Sequence, residues 1–165
     1  MWYNVFKATL KSGLRERKFV MSDLLNKAKA IVEREFGDRI ENGECYKLHA
    51  LRVMEAMDTE EEQIVALLHD VVEDTEMSHA DLEGEGFPKK IIAALEDLYK
   101  GNAIRYFDYI DDLSINPLAA KVKLAEIKDN MDSVRVNRMS FRTYVLEERA
   151  AKSIDILTEA LADHT

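Results

Sequence analysis

The spacing of the apolar residues is the feature that most constrains the fold of this chain. Apolar side chains recur every three or four residues over nearly the whole sequence, which is the period of an α-helix. The chain contains only 6 glycines and 2 prolines, too few for the many turns of a β protein. The pattern therefore predicts an all-α fold, a single helical bundle of about eight helices.

Local signals mark where several of the predicted helices begin. A side-chain acceptor just before an apolar stripe, a capping box or a proline at a first position is typical of a helix start. The chain carries such signals at Ser22, at the box Thr59–Glu62, at the weaker box Ser78–Asp81, at Pro88 and at Asn116–Pro117. Gly37 to Gly43 is predicted to be a loop.

The length of 165 residues fits one domain. We expect residues 1–20 to be an N-terminal extension or helix and residues 21–165 to be the domain. The first part is basic, so Met21 is a candidate natural start, but an ordinary N-terminal helix fits equally well. The single cysteine, Cys45, can form no internal disulfide, and the start of the chain lacks the continuous apolar stretch of a signal peptide. These features favour a cytoplasmic protein.

The charge is negative and unevenly distributed. The formal net charge is −9, and the stretch from Glu55 to Glu85 holds twelve acidic residues and no lysine or arginine. Such a stretch repels a phosphate backbone, which argues against a duplex nucleic acid partner. No apolar run approaches the roughly 18 residues that a membrane span needs. The sequence gives no indication of an oligomeric state.

The segment from Leu67 to Thr75 places polar groups within the most apolar predicted helix. On a helix, His69 lies one turn from Glu73, and Asp70 lies one turn from Asp74. A buried imidazole beside a buried carboxylate is costly unless the two are paired or bound to a cation.

Two further predicted helices add candidate ligands to this segment. One carries His49, and the other carries Glu126, Asp129 and Asn130 on one face, at i, i+3 and i+4. Two imidazoles and two or three carboxylates suit a divalent first-row ion, and mixed nitrogen and oxygen donors favour Mn²⁺ or Fe²⁺ over a structural zinc site.

Three motifs resemble those of the HD-domain phosphohydrolase superfamily, and within it the hydrolase domain of SpoT-type (p)ppGpp hydrolases, including the small single-domain forms. Asn42 to His49 is similar to the Gly-Glu-Pro-Tyr-x-x-His run of that family. Leu67 to Thr75 matches its Leu-Leu-His-Asp-Val-Val-Glu-Asp-Thr run, and Lys123 to Met131 is similar to its Lys-Leu-Ala-Asp-x-x-His-Asn-Met run. The resemblance spans about residues 24–134 and implies an all-α HD domain.

The resemblance also implies roles for individual residues. The implied metal ligands are His49, His69, Asp70 and, where the family has aspartate, Glu126, with Asp129 as the alternative fourth ligand. Glu73 and Asp74 correspond to a catalytic pair. Asn130 matches an Asn near the substrate sugar. Tyr46 and Arg39 are also predicted to bind the substrate, although Arg39 is out of register with the basic residues of the family.

The implied activity is that of a metal-dependent guanosine-3′,5′-bis(diphosphate) 3′-pyrophosphohydrolase, which uses a divalent ion, Mn²⁺ by preference, and a metal-activated water on a small nucleotide. Two departures leave alternatives open. Glu41 stands where the family carries a base, which favours an HD nucleotide phosphatase or pyrophosphatase of broader specificity. The change to Glu126 favours a non-catalytic module that binds a nucleotide or a protein.

Overall fold

The computed structural model describes residues 23–41, 44–100, 105–136 and 141–164, and it confirms the all-α prediction. This part of the chain forms nine helical segments, one of them a single turn. They are α1 (Asp23–Phe36), α2 (Tyr46–Glu55), α3 (Glu60–Leu68), α4 (Val71–Asp74), α5 (His79–Gly84), α6 (Lys89–Leu98), α7 (Tyr106–Ser114), α8 (Pro117–Val136) and α9 (Phe141–Asp163). Residues 1–20, Met21 and the predicted cap Ser22 lie outside the described residues.

The helix starts follow the predicted signals closely. Both capping boxes form, Thr59 with Glu62 and Ser78 with Asp81, each with its two reciprocal hydrogen bonds. Asn116 caps α8, because its side-chain oxygen accepts from the N–H of Leu118 at 3.1 Å. Pro88 differs by one position: its extended ψ of 148° makes it the cap of α6 and not the first helical residue.

The predicted loop from Gly37 to Gly43 includes the first strand of a short antiparallel pair, and the second strand follows it. Gly37 ends α1 with a φ of +46°, a left-handed conformation that costs glycine little, and its N–H closes the last turn on Glu33. The chain then runs through β1 (Ile40–Glu41), which pairs with β2 (Glu44–Cys45) in the register Ile40 to Cys45. This pair leads directly into α2.

Helix α3 lies at the centre of the bundle. Its residues Ile64 to Leu68 are all buried, with no more than 1% of any of them exposed. Five consecutive apolar residues face every side of a helix and need neighbours all round, and α3 packs against α1, α2, α6 and α8. Among the described residues, no helix is both long and apolar enough to cross a membrane.

Candidate metal centre

The chain bends where α3 gives way to α4, at His69 and Asp70. The regular helical ladder ends at Leu68, and Nδ1 of His69 lies 2.7 Å from the carbonyl oxygen of Ala66. In an uninterrupted helix that carbonyl would accept from the N–H four residues further on. The imidazole takes its place, so the single predicted helix that carries Leu67, Leu68, Val71 and Val72 is two helices with a turn between them.

The structure brings His49, His69 and Asp70 together. One donor atom from each lies within 4.8 Å of the other two. Nε2 of His69 is 3.3 Å from Oδ1 of Asp70, and Nε2 of His49 is 3.9 Å from Oδ2 of the same carboxylate. Helix α2 supplies the first histidine, and the turn after α3 supplies the other two residues.

The protonation of the two imidazoles makes this cluster a good fit for a cation. A carbonyl oxygen only accepts hydrogen bonds, so Nδ1 of His69 must carry the proton. In the neutral ring, Nε2 then has no proton and carries a lone pair. That Nε2 is buried and has no hydrogen-bond partner among the described residues. A buried acceptor that faces a carboxylate oxygen is unfavourable unless a positive charge lies between them.

Glu126, on α8, lies beside the two histidines but is held by Lys123. The ammonium group of Lys123 donates to both oxygens of Glu126, at 2.9 and 2.8 Å. Burial opposes ionisation of Glu126, but electrostatic attraction, chiefly to the Lys123 ammonium group, outweighs it and holds the Glu126 pKa below its usual value. The carboxylate is therefore ionised next to the cluster.

Asp129, the alternative fourth ligand, is engaged elsewhere. Its Oδ2 lies 2.7 Å from Nδ1 of His49, and Arg52 donates to both of its oxygens, at 2.6 and 2.9 Å. Burial opposes ionisation of Asp129, but the hydrogen bonds from Arg52 and His49 hold its pKa below the usual value. Both oxygens face groups other than the three clustered donors.

Glu73 lies on α4 at the edge of the cluster. Glu73 as a residue is exposed, but desolvation of its carboxyl raises the pKa above the usual value, and the backbone N–H of Lys100 and the charge of Lys123 act in the opposite direction. The N–H of Lys100 is 3.4 Å from Oε1 of Glu73. Asp70 also interacts with Glu73 electrostatically, which puts this carboxylate within the field of the cluster.

Asp74 faces two of the predicted substrate-binding residues. The hydroxyl of Tyr46 donates to Oδ2 of Asp74, and the Arg39 guanidinium donates to its backbone oxygen at 3.3 Å. The same guanidinium lies 4.6 Å from the centre of the Tyr46 ring. Burial, together with the charges of Asp70 and Asp74, raises the Tyr46 pKa well above its usual value. These contacts form one wall beside the cluster.

The third predicted substrate residue, Asn130, is exposed one turn beyond Glu126, with its amide nitrogen 3.5 Å from Oε1 of that carboxylate.

Sequence reasoning missed the roles of Lys123 and Arg52. The spacing of Lys123 and Glu126, at i and i+3, is a signal for their ion pair. Arg52 has a weaker signal, since it shares a face of α2 with His49 at the same spacing.

The comparisons with known proteins support the fold. No family model and no curated protein sequence matches the chain. Among solved structures, the chain is similar to a metazoan ortholog of SpoT that hydrolyzes ppGpp and plays a role in starvation responses, with 20% identity and a TM-score of 0.65. The similarity covers 86% of this chain and 93% of the other. The two proteins share one fold, as the motif resemblance implies.

Proposed function

We propose that this chain is a metal-dependent phosphohydrolase that acts on nucleotides carrying a 3′-pyrophosphate, such as ppGpp. One observation carries the proposal: two imidazole nitrogens and the Asp70 carboxylate converge on one point, and the buried Nε2 of His69 has no partner among the described residues. The fold shared with a SpoT ortholog that hydrolyzes ppGpp supports the same class of reaction.

The residues that would hold the ion are His49, His69, Asp70 and Glu126, and the mixed nitrogen and oxygen donors favour Mn²⁺. When bound, such an ion supplies Lewis acidity and positive charge for a water nucleophile and a phosphoryl group. The positive charge matters here, because Lys123 is paired with Glu126 and the surrounding stretch from Glu55 to Glu85 is acidic.

Glu73 is the proposed general base. Partial desolvation of its carboxyl raises its pKa, which makes its ionised form a stronger acceptor for the proton of an attacking water. The water oxygen bonds to phosphorus and the bond from phosphorus to the 3′ oxygen breaks. Pyrophosphate leaves, and the 3′ oxygen recovers a proton. Asp74 accepts a hydrogen bond from Tyr46 and so helps to form the wall beside the cluster.

Arg39 and Tyr46 are proposed to bind the nucleotide. The guanidinium, which lies 4.6 Å from the centre of the Tyr46 ring, offers a planar positive charge to a base or a phosphate. Asn130 offers an exposed amide next to Glu126, suited to a sugar hydroxyl.

The test is a turnover assay of the purified protein with Mn²⁺, against ppGpp and a panel of nucleotides. We expect Mn²⁺-dependent release of pyrophosphate, and we expect His69→Ala to lose both bound metal and turnover. His164→Ala, which changes an exposed histidine outside the cluster, is the matched control and should keep both. Bound Mn²⁺ without turnover of any phosphoester would rule out a hydrolase and favour a binding module.

A second candidate is a nucleotide phosphatase of broader specificity. The stretch Arg39-Ile40-Glu41 favours it, since it has an acid where the resembling family has a base. The products of the same assay separate the two candidates: pyrophosphate from a 3′ position supports the first, and inorganic phosphate from a 5′ position supports the second.

Substitution of Glu73 tests the proposed base. Glu73→Gln should keep the metal, because this side chain is outside the ligand set, and should lower kcat by about 10²- to 10⁴-fold. Kinetics combined with metal quantitation measure both effects. Glu76→Gln changes an exposed carboxylate two residues after α4 and serves as the control. A rate within a few-fold of wild type for Glu73→Gln would remove Glu73 from the mechanism.

A further inference from the structure

The Asp129 carboxylate joins α8 to α2 next to the cluster of His49, His69 and Asp70. Arg52 on α2 donates Nε to Oδ1 at 2.6 Å and Nη2 to Oδ2 at 2.9 Å, the two-point geometry that a guanidinium fork makes with a carboxylate. Nδ1 of His49, also on α2, lies 2.7 Å from Oδ2. Both Asp129 and His49 expose only about a seventh of their side chains, 14% and 16%.

These contacts determine which nitrogen of His49 carries the proton. An ionised carboxylate only accepts hydrogen bonds, so Nδ1 of His49 must be the donor. In the neutral ring, Nε2 then has no proton and carries a lone pair. The two bonds from Arg52 fix the plane of the carboxylate, and the carboxylate in turn fixes the rotation of the imidazole. The lone pair of Nε2 then points towards Asp70, whose Oδ2 is 3.9 Å away.

We propose that Asp129 and Arg52 are positioning residues, which hold the His49 imidazole in the tautomer and orientation that turn Nε2 to the metal cluster. The inference rests on the proposed function in one respect, since it takes Nε2 of His49 as a metal ligand. It gives Asp129 a role different from that of an alternative ligand, and it gives Arg52 a role that no motif suggests.

A cleft borders the Arg52–Asp129 pair. It has a volume of about 320 Å³, and its walls include Arg52, Met57, Leu124 and Asp129. His49 is not among the described residues that line it. Arg52 and Asp129 therefore border this cleft, whereas only 16% of the His49 side chain is exposed.

The experiment has two readouts on the same set of variants. Nitrogen-15 NMR of the metal-free protein, at a pH where the imidazoles are neutral, reports the His49 tautomer, and the His49→Gln spectrum assigns its signals. Calorimetry with Mn²⁺ alone reports the affinity. The variants are Asp129→Ala, Asp129→Asn, Arg52→Ala and Arg52→Lys, with Lys128→Ala as the control, because Lys128 lines the same cleft on the same helix.

We expect wild type to hold the Nδ1–H tautomer of His49 and Asp129→Ala to lose that preference and about 10- to 100-fold in Mn²⁺ affinity. Asp129→Asn should recover part of the loss, since an amide oxygen still accepts from Nδ1. Arg52→Lys should lose less than Arg52→Ala, because lysine keeps the charge but not the fork. Lys128→Ala should match wild type.

An unchanged tautomer and an affinity within about twofold of wild type for both Asp129 variants would overturn the inference. Circular dichroism of each variant shows whether it is folded, and Asp129→Asn provides the test if Asp129→Ala is not. The inference and the proposed function fail separately. If wild type binds no Mn²⁺, the proposed function fails, and the tautomer in the metal-free protein alone decides the inference.

Discussion

At the scale of single residues, the cluster of His49, His69 and Asp70 is defined by an excess of hydrogen-bond acceptors. The two Nε2 atoms and the oxygens of Asp70 are all acceptors in the neutral state of the rings, so they cannot form hydrogen bonds among themselves. The protons of the two rings are on the Nδ1 atoms, where they are donated to the carbonyl of Ala66 and to the carboxylate of Asp129. A cation satisfies such an arrangement, and ordinary packing does not.

Lys123 provides a prediction at this scale. Burial opposes protonation of its amine, but the charge of Glu126 outweighs burial and raises the Lys123 pKa above its usual value. Lys123→Met removes the ammonium group, keeps most of the length of the side chain and leaves Glu126 ionised without its counter-charge. We expect a loss of about 3 kcal/mol in the free energy of unfolding of the metal-free protein, measured by urea denaturation.

Added Mn²⁺ should restore part of that stability if Glu126 is a ligand, because the ion then replaces the lost charge. The control is Lys90→Met, which removes the exposed pair with Glu61 and should cost less than about 1 kcal/mol. A loss for Lys123→Met that Mn²⁺ does not reduce, in protein that still binds the ion, would contradict the assignment of Glu126 as the fourth ligand.

At the scale of secondary structure, the start of α3 is held by one glutamate. Glu62 accepts from the backbone N–H groups of Asp58 and Thr59, each at 3.0 Å, and it pairs with Lys121 of α8 at 2.9 Å. Burial opposes ionisation of Glu62, but the hydrogen bonds from Lys121 and from those N–H groups outweigh it and lower its pKa below the usual value. The capping box thus also links the central helix to the helix that carries Glu126.

This lowered pKa gives a prediction for the pH dependence of stability. A carboxyl whose pKa is lower in the folded state than in the unfolded state stabilises the fold at pH values above its unfolded pKa, and that contribution disappears as the pH falls through the folded pKa. Glu62→Gln keeps a capping residue at the same position but has no charge. The variant should therefore be less stable than wild type at about pH 7 and closer to it at about pH 3.

Urea denaturation at both pH values measures this difference. Glu83→Gln, which changes an exposed glutamate of α5, is the control and should stay within about 0.5 kcal/mol of wild type at each pH. A stability difference for Glu62→Gln that is as large in acid as at neutral pH would show that the charge of Glu62 does not stabilise α3.

The elements that local rules govern are the ones that sequence reasoning predicts well. Both capping boxes and the start at Pro117 need only residues within three or four positions of each other, and both boxes form as expected. The break at His69 was not predicted, because it depends on a side chain competing for the carbonyl of Ala66. Apolar periodicity continues through the break, so no pattern of apolar residues reveals it.

At the scale of the whole molecule, the site exists because α2, α3 and α8 meet. Each of these three helices packs against the other two. His49 precedes His69 by 20 positions and Glu126 follows Asp70 by 56 positions, so only the packing of these helices brings the three elements together. The apolar surface of α3, from Ile64 to Leu68, is what the other helices bury, and the site lies at the end of that buried surface.

The sequence by itself determined the helical architecture, most helix starts and the identity of the clustered donors His49, His69 and Asp70, because periodicity, capping and motif spacing are local properties. Only the tertiary structure decided how the neighbouring charges are used. In the folded protein, Glu126 pairs with Lys123, Asp129 pairs with Arg52 and His49, and Asp74 pairs with Tyr46. Except for the i, i+3 pair of Lys123 and Glu126, these partners lie on different elements, and their distances depend on how those elements pack, which no local pattern specifies.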